Sequence, residues 1–330
     1  MQQLIKNNQG PTDATIAVTH KCNSKCIMCN IWKDTSKDAL APEDFLKLPK
    51  TLKDVNITGG EAFLRNDLVE IAKNLTQLNP NMRMVFSSNG FLTDRIVDFM
   101  CQIRKFNPKA CISISLDGIG EMHSETRGIN DAYDKVLKTI EGLKKANIND
   151  IRVGYTGSDK NISHLSQVYD FAKANNIEFT MSIVHNSENY FNIDTNTLKD
   201  IDSLENQLNY VIRQELKQIN PRRLFRTYYF KGIINYAKTD KRLLPCCALK
   251  NSFFINALGK IFPCNILETS IGNLKEDNFE NIWTSRQNDN LRKYCESCNK
   301  CWMVCTVKNS MRKEPVKVVK SVILEKLKNL

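Results

Sequence analysis

The sequence predicts an α/β protein: a partial (β/α)6 barrel of the TIM type joined to a small cysteine-rich C-terminal domain. Between Ala14 and Asn186, six short β-branched runs alternate with amphipathic stretches, the pattern of a parallel sheet with right-handed crossovers. Short polar motifs follow these runs at the C-terminal strand ends, where a barrel gathers its functional loops. Seven of the twelve cysteines then crowd between Cys246 and Cys305.

The expected strands are Thr15–His20, Asp54–Thr58, Arg83–Ser88, Ala110–Leu116, Ile151–Tyr155 and Glu178–Val184. Between them the spacing predicts helices over Pro42–Lys50, Leu68–Leu78, Arg95–Phe106, Tyr133–Ala146 and Leu165–Asn175. In the fourth of these, Val136, Leu137, Ile140 and Leu143 recur at helical spacing and form a stripe that packs on a sheet. Beyond Asn186 a long polar helix is expected over Asp200–Ile219 and an aromatic-rich one over Leu224–Ala237. A β-hairpin over Ser252–Ala257 and Lys260–Phe262 turns at Leu258-Gly259. The tail carries Val316, Val319, Ile323 and Leu327 at helical spacing and is expected to cover the core with that stripe, an interfacial anchor being the alternative. The organisation follows: a segment 1–13, a barrel over 14–220, a cysteine-rich domain over 221–310 and a basic helix over 311–330.

Composition narrows the class. A chain of 330 residues with 42% hydrophobic and 25% charged residues is an ordinary globular protein. The polar start Met1–Pro11 lacks a signal peptide's apolar core. No apolar run approaches the roughly 18 residues of a membrane span, so a cytoplasmic location is expected. The net charge of +11 is diffuse except over Lys308–Lys328; it reads as a solvated basic face rather than a nucleic-acid site. Cytosolic cysteines in clusters point to metal or redox chemistry rather than to disulfides.

Cys22-x3-Cys26-x2-Cys29 follows the first strand directly. Thiolates are soft ligands suited to iron–sulfur clusters, and a trio leaves one iron open where a closed structural site wants four ligands. A zinc knuckle completed by His20 is the alternative. Later strand ends carry Thr58-Gly59-Gly60-Glu61, Ser88-Asn89-Gly90, Ser113-Ile114-Ser115-Leu116-Asp117-Gly118 and Arg127-Gly128, the last in a loop. Taken in order, these motifs resemble the radical S-adenosylmethionine (SAM) superfamily over roughly residues 14–190. The resemblance implies a [4Fe-4S] cluster on Cys22, Cys26 and Cys29. It further implies that Gly59, Gly60 and Glu61 meet SAM's amino group, Ser113, Ser115 and Asp117 the ribose, and Arg127 the carboxylate. Asn89 lies in the turn that is often Thr-Asn-Gly. Met28 stands where an aromatic residue often packs beside adenine, and a thioether can serve there. Ala62 stands where Pro is common.

The second cluster comprises Cys247 and Cys264 flanking the hairpin, then Cys295-x2-Cys298-x2-Cys301-x3-Cys305, with Ile271-Gly272-Asn273-Leu274 and Ile282-Trp283 between. It resembles the SPASM or twitch extension of radical SAM enzymes. The resemblance implies at least one auxiliary [4Fe-4S] cluster, held by Cys247 and Cys264 with two of the last four cysteines. Two residues separate Cys298 from Cys301 where the full pattern has five, and its final cysteine is missing. A four-cysteine zinc site is the alternative here. Cys246, Cys111 and Cys101 are candidates for a hydrogen-atom donor, Cys246 foremost.

For such a chain the resemblance implies reductive cleavage of SAM to a 5′-deoxyadenosyl radical, which removes a hydrogen atom from substrate. A reductant such as flavodoxin or ferredoxin is the expected partner. Only 21 residues precede Cys22, which favours a small substrate, such as a sugar or nucleotide sugar, over a peptide bound through a leader domain. A non-catalytic iron–sulfur carrier is the reading from another class, and the trio with its Gly-Gly-Glu loop argues against it.

Overall fold

The computed structural model describes residues 10–217 and 220–328. Residues 1–9 of the expected N-terminal segment and the last two of the helix expected over Asp200–Ile219 lie outside them. The first half alternates as expected: β1 (Asp13–Ala17), β2 (Asp54–Thr58), α1 (Leu68–Leu78), β3 (Arg83–Ser88), α2 (Thr93–Ile103), β4 (Cys111–Ser115), α3 (Glu121–Arg127), α4 (Ala132–Lys145), β5 (Ile151–Gly157), α5 (Leu165–Ala174) and β6 (Glu178–Ile183). Strands β1 to β6 are parallel and adjacent in sequence order.

Each strand alternates along its length. Ile16, Ile57, Phe86, Ile114 and Val153 are fully buried beneath the helices. Thr15, Asn56, Ser87 and Ser113 lie on the opposite face, in the lumen. A period of two puts apolar side chains under the helical layer and neutral polar ones inside the curl. Phe63, Phe86 and Phe99 interlock edge to face beneath α2.

The second half is α6 (Ile201–Leu216), α7 (Pro221–Thr239), β7 (Ser252–Ile255), β8 (Lys260–Phe262), β9 (Gly272–Asn273), α8 (Phe279–Thr284), α9 (Asp289–Ser297), α10 (Val304–Lys313) and α11 (Pro315–Lys328). The β7–β8 hairpin forms where expected. It also does something periodicity did not foretell: β7 pairs in parallel with β1, so the cysteine-rich region continues the barrel's sheet. An open barrel leaves β1 with an unpaired edge, and the hairpin satisfies it. Across the same junction, Lys308 of α10 bonds Asp13 at 2.6 Å and Asp54 at 3.0 Å, and Arg312 reaches Asp13 at 3.5 Å.

Four expectations are corrected. The helix expected over Pro42–Lys50 is a 3-10 segment, Pro42–Lys47, stopped just before Pro49. The first strand begins at Asp13, where residues 12–13 bond Asn251, and its end peels off towards the cysteine loop. Arg127 closes a short helix rather than lying in a loop. The tail is a helix, but the stripe Val316, Val319, Ile323 and Leu327 faces outward at 40–79% exposure, and Val318 and Val322 are the buried pair. The tail has two apolar faces at helical spacing, and packing against α7 chose the smaller one.

Candidate metal and cofactor sites

The cysteine loop sits at the C-terminal ends of β1 and β2. Its backbone is set by the Gly-Gly-Glu motif: Gly60 N–H donates to Thr19 O and Glu61 N–H to Lys21 O, each at 2.8 Å. A Cβ on Gly60 would collide with the carbonyl oxygens of His20 and Lys21, so this approach requires glycine. From the other side, the Lys25 and Ile27 amides donate to Arg127 O and Thr126 O, both at 3.0 Å. The loop that carries Cys22, Cys26 and Cys29 is therefore clamped between two distant motifs, Gly60-Glu61 and Thr126-Arg127.

The side chains follow from this frame. The Arg127 side chain is 11% exposed; its Nη2 lies 2.5 Å from Asp117 Oδ2 and its Nη1 donates to Cys26 Sγ at 3.5 Å. Burial works against its charge, and Asp117 and Cys26 outweigh burial, so the guanidinium stays protonated. Its Nε is buried without an acceptor. Asp117 spends its other oxygen on the Thr156 amide at 2.7 Å. It thus ties Arg127 to β5. Glu61 accepts from the amides of Phe63 and Asn89 and from the Ser88 hydroxyl at 2.7–3.1 Å. Burial nevertheless lifts its carboxyl to about 7. Asn89 donates to Asn23 at 2.6 Å, tying β3 to the cysteine loop. The Met28 side chain is buried, and its carbonyl accepts from Asn196 at 3.0 Å.

Burial pushes Cys22 up to about 12 and Cys29 to about 11. Thiols so placed ionise only when a metal replaces the proton. His20 Nδ1 lies 2.7 Å from Asp34, with Nε2 buried and unpartnered. Among the described residues no three His, Cys, Asp or Glu side chains converge tightly enough for one ion. The trio and the unpartnered Arg127 Nε fit a cluster with a further ligand.

Sequence reasoning missed the segment after β6. Tyr190 donates to Gly59 O at 3.1 Å and lies 3.0 Å from Thr58 Oγ1, and the Asn30 amide donates to Phe191 O at 2.8 Å. Tyr190 packs with Phe254 and Phe262 of the hairpin, and Cys22 and Cys29 pack against the same group. The adjacent aromatics Tyr190-Phe191 in a polar stretch were the available signal. Arg65, also missed, braces Val18 O and Leu40 O at 2.9 and 3.0 Å.

Towards the N-terminal half of the lumen lies a cavity of about 680 Å³. It does not touch the cysteine loop. Thr15, Asn56, Ser87, Ser113 and Thr180 line it, and it extends to Cys264 and Cys305. Arg152, Arg222 and Arg226 at its rim share Glu178 at 3.2, 3.4 and 4.0 Å. Arg226 lies closer to Glu215, at 3.1 Å, and the cavity's lining as a whole has six basic side chains against four acidic ones, Asp13, Asp54, Asp150 and Glu178, a modest positive excess.

Of the second cysteine set, Cys246, Cys264, Cys295 and Cys301 are buried within the main apolar core, with Cys298 packed against it. Burial lifts Cys295 and Cys305 to about 12 and Cys246 to about 11. Cys247, expected as a ligand, is also buried, and the Ser310 hydroxyl donates to its sulfur at 3.5 Å. Cys246, expected as a hydrogen donor, is not among the cavity's lining residues. Neither are Cys111, whose sulfur accepts from Arg83 at 3.1 Å, and Cys101.

Comparisons with known proteins agree on one class. Residues 16–172 match the radical SAM superfamily, and residues 246–302 match SPASM, an iron-sulfur cluster-binding domain. The AdoMet-dependent heme synthase of Methanosarcina barkeri (strain Fusaro / DSM 804) is 25% identical over 310 residues, 86% of this chain and 85% of that one. The antilisterial bacteriocin subtilosin biosynthesis protein AlbA of Bacillus subtilis (strain 168) is 26% identical over 83% of this chain, which spans 60% of AlbA's length. The crystal structure of Streptococcus suis SuiB bound to S-adenosylmethionine shares the fold with a TM-score of 0.69 at 17% identity, over 89% of this chain and 71% of SuiB.

Proposed function

The chain belongs to the radical SAM superfamily and carries a C-terminal SPASM domain, and from that premise we propose that it removes a hydrogen atom from a polyhydroxylated, anionic small molecule, a sugar or nucleotide sugar, bound in the barrel lumen. The chemistry that the bound cluster and SAM supply is reductive formation of a 5′-deoxyadenosyl radical able to attack an unactivated C–H bond. The protein's own residues do the rest. Cys22, Cys26 and Cys29 hold the cluster. Arg127, kept charged by Asp117, faces the carboxylate of SAM, and the Gly59–Glu61 loop faces its amino group. Tyr190 and Phe254 wall the site against water.

The observation that carries the substrate reading is the lumen's lining. Neutral hydrogen-bonding side chains from β1, β2, β3, β4 and β6 face one cavity, and six basic side chains against four acidic ones leave a modest positive excess around it. Hydroxyl and amide groups in that arrangement suit a sugar, and guanidiniums suit phosphate. A volume of about 680 Å³ suits a ligand of that size, and in this reading its reacting carbon extends up the lumen from the cavity to the cysteine-loop end, where the radical forms. The second reading is a peptide substrate, favoured by the similarity to AlbA over most of this chain.

The test is anaerobic incubation of reconstituted enzyme with SAM, dithionite and deuterated candidates from both classes. Deuterium appearing in 5′-deoxyadenosine from a nucleotide sugar supports the proposal. Transfer only from a peptide replaces it with the second reading. No 5′-deoxyadenosine under any condition contradicts both.

A further inference from the structure

We propose that the outward face of α11 is a docking surface for anionic lipid, by which the folded protein lies on a membrane surface without crossing it. The helix packs on α7 through Val318 and Val322, which are 0% and 1% exposed. On its other side Val316, Val319, Ile323, Leu324 and Leu327 are 40–79% exposed. At about 100° per residue these five fall on one half of the helix, along three turns or about 17 Å. A shallow recess over Pro315, Val316, Val319, Lys320, Ile323 and Leu324 is lined by α11 alone, so no neighbouring element overhangs the stripe. The other large exposed hydrophobics, among them Ile27, Leu46 and Tyr294, are scattered. Scattered ones are ordinary, whereas a contiguous stripe calls for an occupant.

Charge identifies that occupant. The same helical spacing puts Lys326 at one edge of the stripe, Lys317 at the other and Lys320 within it. Among the described residues none of the three pairs with an acidic side chain; Lys317 donates to Leu243 O at 3.2 Å and keeps its charge. Glu325, the one acidic residue of the helix, falls on the packed side and pairs with Lys231 of α7 at 2.8 Å. An anionic leaflet meets both features at once, acyl chains taking the stripe and headgroups the ammoniums, with the lysine stems lying along the apolar surface.

A second copy of the chain meets only the first. Two-fold pairing of this face would set three lysines against the same three, with no carboxylate between them. The face also lacks Trp, Tyr and Arg, the side chains that anchor protein hot spots. The helix has 14 residues, and no helix among the described residues is long and apolar enough to cross a membrane. It therefore lies in the interface plane, still docked on α7.

The test is co-sedimentation of the full reconstituted chain with vesicles of phosphatidylcholine, alone or mixed with phosphatidylglycerol. Binding is expected to the mixed vesicles only, and to fall as salt is raised to about 0.5 M. Replacing Ile323→Ser together with Leu327→Ser is expected to weaken it about tenfold or more, and Lys320→Gln and Lys326→Gln about fivefold each. These side chains lie off the packed face, and thermal melts matching the parent's establish that the variants are folded. No binding to the mixed vesicles at low salt, equal binding to the neutral ones, or full binding by the double Ser variant overturns the proposal. So does a dimer in light scattering that Ile323→Ser dissolves, which would give the face to a second copy.

Discussion

At the scale of residues, Glu61 shows how burial and hydrogen bonding compete. Its folded value of about 7 lies above its ordinary 4.5, so between those values the fold holds a proton that the unfolded chain has released. Ionising it therefore costs stability as pH rises through that window. A bound ammonium reverses the preference. The affinity for SAM, measured by calorimetry on loaded enzyme, is expected to rise between about pH 6 and 7 and then level off, and Glu61→Gln to flatten that part of the profile. Arg127 makes the complementary case. Removing its buried partner in Asp117→Asn is expected to weaken SAM binding about ten- to a hundredfold, the worth of a charge-assisted contact of about 1.5–3 kcal/mol, while iron content stays at the parent level.

Elements are fixed by which face meets which neighbour. In α7, Gly232 lies against the indole of Trp302, which donates to Tyr229 O at 2.9 Å. Any Cβ at that position would enter the ring, so Gly232→Ala is expected to destabilise the protein by about 2–3 kcal/mol in denaturant titrations. It would also displace the segment that carries Cys301. In α11 the expected and actual packing faces differ, and mutation distinguishes them. Val318→Ala and Val322→Ala are each expected to cost about 1–2 kcal/mol. Val316→Ser and Ile323→Ser on the exposed stripe should stay within about 0.5 kcal/mol. Periodicity named the helix because both stripes obey it; only contact with α7 could choose between them.

At the scale of the whole molecule, the barrel and the cysteine-rich region share one sheet and one ion cluster. Burial pushes the Asp54 carboxyl up, and Lys308 with Arg83 and Arg312 more than reverses this, holding it below its ordinary 3.8. Its contribution is therefore present above that value and is lost as pH falls through the folded one. Lys308→Ala is expected to cost about 2 kcal/mol at neutral pH, less than the about 3–5 of a fully buried pair because Arg312 remains. It should also flatten the acid limb of the stability profile read by thermal melts.

Much of the fold and the heart of the candidate site were legible in order along the chain. Alternating runs sufficed for six parallel strands, and short spacing sufficed for the trio Cys22, Cys26 and Cys29, because those signals are local. Tertiary structure decided what joins distant residues or turns on a single step of the chain. It put Tyr190 over the cysteine loop, hung the hairpin on β1, committed Asp117 to Arg127, and chose the buried face of α11. Successive helix residues face about 100° apart, so packing of α11 through Val318 and Val322 rather than the neighbouring stripe turns on contacts that periodicity does not record.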